Sequence, residues 1–209
     1  MRRISPLILM FTALVVTGVG AHAQVFYEYP GAPVIKENEP AIGPVIAVGE
    51  HDLFRILGYA RFNVSQYADF GLELVFDNVG DDWRVGAGGD VKYAIVPESA
   101  TMPFDLALNA GFGFESGDNV TQIQVPIGAV ISRPLQLASG RFLVPYGGLY
   151  LLIVHTSIDI GPVGDISDTD ADVELRIGTS IGVTDRADMF AALHIGSGTK
   201  FFIGLNWHL

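Results

Sequence analysis

The 209-residue sequence predicts an all-β fold, a closed antiparallel transmembrane β-barrel of about ten strands, with eight the alternative count. Three observations lead there. Hydrophobic residues make up 49% of the chain at a mean hydropathy of +0.38, while charged residues reach only 17%. Beyond Gln24 no uninterrupted apolar run approaches the roughly 20 residues of a membrane helix. The apolar residues recur instead with period two, the signature of strands with one greasy face.

The chain opens Met1-Arg2-Arg3, runs apolar from Ile4 to about Gly20 and closes Ala21-His22-Ala23. A basic start, an apolar stretch and a small-x-small end are expected of a secretory signal peptide over 1–23, cleaved after Ala23. Residues 24–40 hold three prolines and no period, and read as an extended periplasmic segment that could fold back as a plug. The barrel is expected over 41–209.

Alternation is sharpest in four stretches. Phe104, Leu106, Leu108, Ala110, Phe112 and Phe114 oppose Asp105, Ala107, Asn109, Gly111, Gly113 and Glu115. Ile123, Val125, Ile127, Ala129 and Ile131 oppose Gln122, Gln124, Pro126 and Gly128. Val173, Leu175, Ile177, Ile181 and Val183 oppose Asp172, Glu174, Arg176, Gly178 and Gly182. Phe201, Ile203, Leu205, Trp207 and Leu209 oppose Phe202, Gly204, Asn206 and His208. Less regular strands are expected over 53–64, 67–77, 83–96, 142–157 and 189–196. Ala41–Gly49 completes an even number, which keeps both termini in the periplasm. Ile158 to Asp170 then becomes a long extracellular loop.

Soluble sandwiches alternate too, so the non-apolar face decides. A water-facing sheet is rich in Lys, Thr and Glu and avoids Gly. Here that face is Gly, small residues and a few charges of both signs. Lys is limited to Lys36, Lys92 and Lys200, so lysine protection of open edges is missing. A narrow closed barrel needs neither edge protection nor interior bulk. Phe54, Phe62, Trp83, Tyr93, Phe104, Phe114, Phe201 and Trp207 fall near strand ends, where interfacial girdles belong.

With its leader, Gly-rich hairpins and alternating end Phe201-Phe202-Ile203-Gly204-Leu205-Asn206-Trp207-His208-Leu209, the chain resembles the small outer-membrane β-barrel protein family of diderm bacteria. The resemblance implies an outer-membrane location and outer-membrane lipid as a partner. It also implies that Phe201, Ile203, Leu205, Trp207 and Leu209 form the signal read by the barrel-assembly machinery. The family usually ends in an aromatic residue; this chain ends in Leu209. The family is functionally mixed, so no activity follows.

Other classes are excluded. A formal charge of −11 opposes nucleic acid, whose phosphates need a basic surface. The absence of Cys removes disulfides, thiolate metal sites and thiol catalysis. No phosphate loop, metalloprotease pair or nucleophile elbow is present, so no cofactor is expected.

By parity the inward face holds Arg55, Arg61, Asp69, Glu73, Arg84, Asp90, Lys92, Asp105, Glu115, Asp172, Glu174 and Arg176. These should pair inside a narrow barrel, because an unpaired buried charge is costly. The alternative is a narrow conduit, with Glu73, Asp90, Lys92 and Arg176 nearest mid-membrane. Outer loops collect acids, among them Asp81, Asp82, Asp118 and Asp159. Asp165, Asp168, Asp170 and Asp172 are spaced to share a hard cation such as Ca²⁺, without the Gly and closing Glu of a calcium loop. His155 and Ser157 share a strand face, so a His base could activate a Ser. The triplet is faintly similar to the His-x-Ser of outer-membrane lipid A deacylases, where Asn follows and here Ile158 does. His194 and His208 read as barrel-wall residues. The leading expectation is a non-enzymatic outer-membrane barrel with a structural or surface-interaction role; the alternatives are a narrow channel and an outer-leaflet lipid-modifying hydrolase.

Overall fold

The computed structural model describes residues 31–33, 39–50, 52–79, 82–96, 103–159 and 165–209. The expected signal peptide with its cleavage site, most of 24–40, and Asp81 lie outside these residues.

The strands are β1 (Ala41–Gly49), β2 (Leu53–Ser65), β3 (Ala68–Val79), β4 (Asp82–Val96), β5 (Asp105–Gly117), β6 (Val120–Ser132), β7 (Leu135–Gln136), β8 (Phe142–Asp159), β9 (Asp165–Thr184), β10 (Ala187–Ile195) and β11 (Thr199–His208). Consecutive long strands pair antiparallel; β6 pairs β8, and β1 pairs β11. Ten strands therefore close a barrel, as the alternation predicts. The two-residue β7 only clips onto the start of β8 and takes no part in closure. Ala41 and His208 pair at one end, here the near rim; the opposite end is the far rim.

Closure follows from the pattern. Each strand sends one face to the interior and one outward, and a closed ladder leaves no edge. The outward face carries Ile56, Leu72, Leu74, Val91, Leu108, Phe112, Leu149 and Ile177, all exposed. A water-soluble protein does not show a continuous belt of this kind. In hydrocarbon the same belt is solvated, and the closed ladder pairs neighbouring strands all the way round, so the exterior is that of a transmembrane barrel. Aromatic residues ring both ends. Phe54, Trp83, Phe114 and Phe201 lie toward the far rim; Phe62, Tyr93 and Trp207 lie toward the near rim, all exposed.

One expected loop is largely strand. Ile158–Asp170 was expected to be extracellular coil, but β8 runs to Asp159 and β9 starts at Asp165, with rungs Ser157↔Ser167 and Val154↔Asp170. The β-rich Tyr150–Ile158 segment templates its acidic partner, so pairing overrides the low strand propensity of Asp. β10 reaches only to Ile195, opposite Leu175. Above that level β9 continues on β8 without β10 beside it, while β6 stays paired with β8 up to Val120↔Ile158.

Candidate functional site: the barrel interior

The inward side chains fill the lumen in three levels. At mid-height Val45, Leu57, Tyr59, Val75, Phe190 and Phe202 form a buried apolar layer. Polar clusters lie on either side of it.

The near cluster is built across β2 to β5. Register places Arg61 opposite Gly71, and Gly71 opposite Asp90. Because Gly71 has no side chain, Arg61 reaches across it to Asp90. A Cβ there would stand 2.5 Å from Asp90 Oδ1 and 2.8 Å from Arg61 Nη1. Arg61 donates from Nε to Asp69 Oδ1 at 2.6 Å, from Nη1 to Asp90 Oδ1 at 3.0 Å, and from Nη2 to Asp90 Oδ2. Asn109 Nδ2 donates to Asp90 Oδ2 at 2.6 Å. On the next rung Lys92 Nζ stands 4.0 Å from Asp69 Oδ2 and donates to the Gly31 carbonyl at 3.1 Å.

That last bond ties the N-terminal segment into the barrel. Gly31 and Ala32 are buried, and Ala32 N–H donates to Ser132 Oγ at 3.0 Å. Ala32 packs with Ala107 and Val130. Gly31 takes φ +85°, the left-handed region that glycine enters without a Cβ penalty. Residues 31–33 thus occupy the near mouth.

The far cluster joins two groups. Arg55 Nη2 donates to Asp77 Oδ2 at 2.7 Å and to Glu115 Oε1 at 2.8 Å. Glu115 passes over Gly86, the same device as at Gly71. On the opposite wall Arg176 Nε donates to Glu174 Oε1 at 2.7 Å, and its guanidinium lies 3.8 Å from the Tyr150 ring centre. His194 Nδ1 is 3.4 Å from Glu174 Oε1, and its ring lies 4.2 Å from that of Phe202. Gln124 donates to Gln122, and Gln122 to Thr156, at 2.9 and 3.0 Å.

The expected inward set is therefore brought inside. Arg55, Arg61, Asp69, Glu73, Lys92, Asp105, Glu115, Glu174 and Arg176 are buried, and Arg84, Asp90 and Asp172 are half-buried. Glu73 sits at mid-height on β3, whereas Lys92 lies toward the near rim rather than at mid-membrane. Asp77, His194 and Lys200 were missed. Asp77 shares the parity of Asp69 and Glu73 within the expected strand 67–77, and one step back from Phe202 reaches Lys200. Reading His194 as wall is corrected: it is buried in the lumen, opposite Arg176 and Lys200. His208 bonds Asp188 Oδ2 at 2.8 Å at the near rim.

The acidic set is not assembled as a cation site. Asp168, Asp170 and Asp172 alternate along one face of an extended strand, so neighbouring carboxylates stand about 7 Å apart instead of surrounding one point. Among the described residues no group of three or more His, Asp or Glu could hold a metal ion. His155 and Ser157 do share the outward face of β8, and His155 Nδ1 lies 2.8 Å from Thr169 Oγ1 across the rung.

No family model matches the chain, and no curated protein matches it. Solved structures similar to it are barrels. A bacterial polysaccharide outer-membrane secretin aligns at TM-score 0.47 and 11% identity, over 83% of this chain and 66% of that one, so this chain spans just under two thirds of its length. The KdgM porin aligns at 0.43 and 11%, over 81% and 99%. LpxR from Salmonella typhimurium aligns at 0.43 and 8%, over 75% and 73%. Likeness at this level carries nothing about activity, and the barrel class rests on the chain's own ladders.

Proposed function

We propose that the chain is an outer-membrane β-barrel with a structural or surface-interaction role and a closed lumen. The observation that carries this is the filled interior: paired charges, a mid-height apolar layer, and Gly31–Pro33 in the near mouth. In this reading the near rim is periplasmic, and the far ends of β8 and β9 lie outside the cell. Outer-membrane lipid is the solvent of the belt. The outward residues Phe201, Ile203, Leu205, Trp207 and Leu209 serve the barrel-assembly machinery.

Two measurements test it. Protein extracted from outer membranes should migrate differently on a gel before and after heating; recovery in a detergent-free soluble fraction overturns the reading. In a planar bilayer the purified protein should give no conductance above background, and discrete conductance steps would overturn the closed lumen.

A narrow conduit is the second reading, favoured by one observation. Asp77 Oδ1, Glu115 Oε2 and Gln124 Oε1 are buried in the far half without a protein partner. Such oxygens are ordinarily satisfied by water. If the protein conducts, Glu73→Gln or Arg176→Gln should alter ion selectivity.

A further inference from the structure

The barrel closes where β1 meets β11, and the ladder is broken there. Ile42 pairs Trp207 and Val45 pairs Gly204, but Gly43 and Pro44 have no rung with β11, although both keep theirs with β2. Pro44 has no N–H to donate. Gly43 comes so close to the Leu205 carbonyl that a Cβ would overlap it. Inside the barrel the break is backed by Tyr59, whose hydroxyl donates to Asn206 Oδ1.

Outside, the break lies under a groove of about 860 Å³ whose lining is almost wholly apolar. Its floor is low because Gly58, Ala60 and Ala87 are small; Leu72, Leu74 and Trp207 stand higher around it, all exposed. A Cβ at Gly58 would meet no atom within 4 Å, so the floor is open space. The groove is continuous with the bilayer-facing belt, in the near half, toward the Ala41–His208 rung. Its mouth therefore opens onto hydrocarbon, not water.

We infer that this groove is a site for one phospholipid acyl chain, taken from the leaflet at the near rim and laid over the β1–β11 seam. Methylenes match its chemistry: the lining presents almost no polar surface to pair with anything else. Unfilled, the groove leaves the Leu72, Leu74 and Trp207 side chains without packing partners on one side. A flexible chain fits an irregular floor of glycine and proline better than another protein's side chains, which would need matching knobs. The seated chain covers the part of the wall that lacks β1–β11 ladder hydrogen bonds. The inference rests on the transmembrane reading.

The test uses the two tryptophans as paired reporters, Trp207 on the groove rim and Trp83 at the far rim. Refolded protein in detergent micelles receives small fractions of phosphatidylcholine brominated along its acyl chains, in Trp83→Phe and Trp207→Phe backgrounds. A seated chain quenches Trp207 at lipid fractions where Trp83 is still unquenched. Gly58→Leu fills the floor and should abolish that excess; Ala110→Leu, on an outward position of β5, should leave it intact. Equal quenching of both reporters, unchanged by Gly58→Leu, overturns the site while leaving the transmembrane reading in place. Cross-links between copies through Trp207 that are lost on Gly58→Leu would assign the groove to a second copy and also overturn it. Failure to float with vesicles, with neither reporter quenched by brominated bilayers, overturns the transmembrane reading and the site together.

Discussion

The near and far charge clusters use the same residue types and the same glycine device, but they are satisfied differently. In the near cluster one guanidinium spends three donors on Asp69 and Asp90, and Asn109 adds a further bond to Asp90. None of these residues has a buried side-chain atom without a partner. The far cluster keeps several such atoms, at Asp77, Arg84, Glu115 and Gln124. The near cluster thus works as a dry lock around the N-terminal segment. The far one keeps buried polar atoms that no protein group satisfies, the kind of atom that water ordinarily serves. Charge in a barrel interior need not mean a pathway; its degree of satisfaction distinguishes a lock from a wet chamber.

Five substitutions should break or sharpen this contrast, each read by urea unfolding of protein refolded in vesicles unless stated. Arg61→Met leaves Asp69 and Asp90 buried without their main partner, and should cost about 3–5 kcal/mol. Arg55→Met removes the same chemistry from the far cluster, where water can take over. The expected loss is about 1.5–3 kcal/mol. A loss equal to that of Arg61→Met would end the dry-versus-wet distinction. Gly71→Ala pushes a methyl between Arg61 and Asp90 and should cost about 1–3 kcal/mol. Gly58→Ala, into open space, should stay within about 0.5 kcal/mol of the parent. Ser132→Ala removes the bond to the Ala32 amide and should cost about 0.5–1.5 kcal/mol, so Gly58→Ala remains the smallest effect. For Ser132→Ala the sharper readout is hydrogen exchange, since the Ala32 amide should lose protection while strand amides keep theirs.

Much of the interior was legible because side-chain direction follows residue parity once a strand is recognised. Arg55, Arg61, Asp90, Lys92, Glu174 and Arg176 point inward for that reason alone. Parity says nothing about height or cross-strand partners. The pairing of Arg61 with Asp90 depends on a rung through Gly71, set by the β2–β3 and β3–β4 registers. His194 was misread because a histidine between apolar neighbours looks the same on either face until Arg176 and Lys200 are placed beside it. The Ile158–Asp170 segment was misread because aspartates signal a loop locally, while the long β8 partner holds them extended.

The sequence by itself determined the class: alternation, Gly on the non-apolar face and the scarcity of Lys leave a closed barrel in lipid as the arrangement that satisfies every strand. Period and composition are local properties, readable one strand at a time. Only the tertiary structure decided that the interior divides into a locked half and a half with unsatisfied oxygens. It alone also decided that the near mouth holds Gly31–Pro33, and that the seam opens a groove at Gly43–Pro44. Those outcomes depend on register around a closed ring, where one strand's offset sets which side chains meet on every rung.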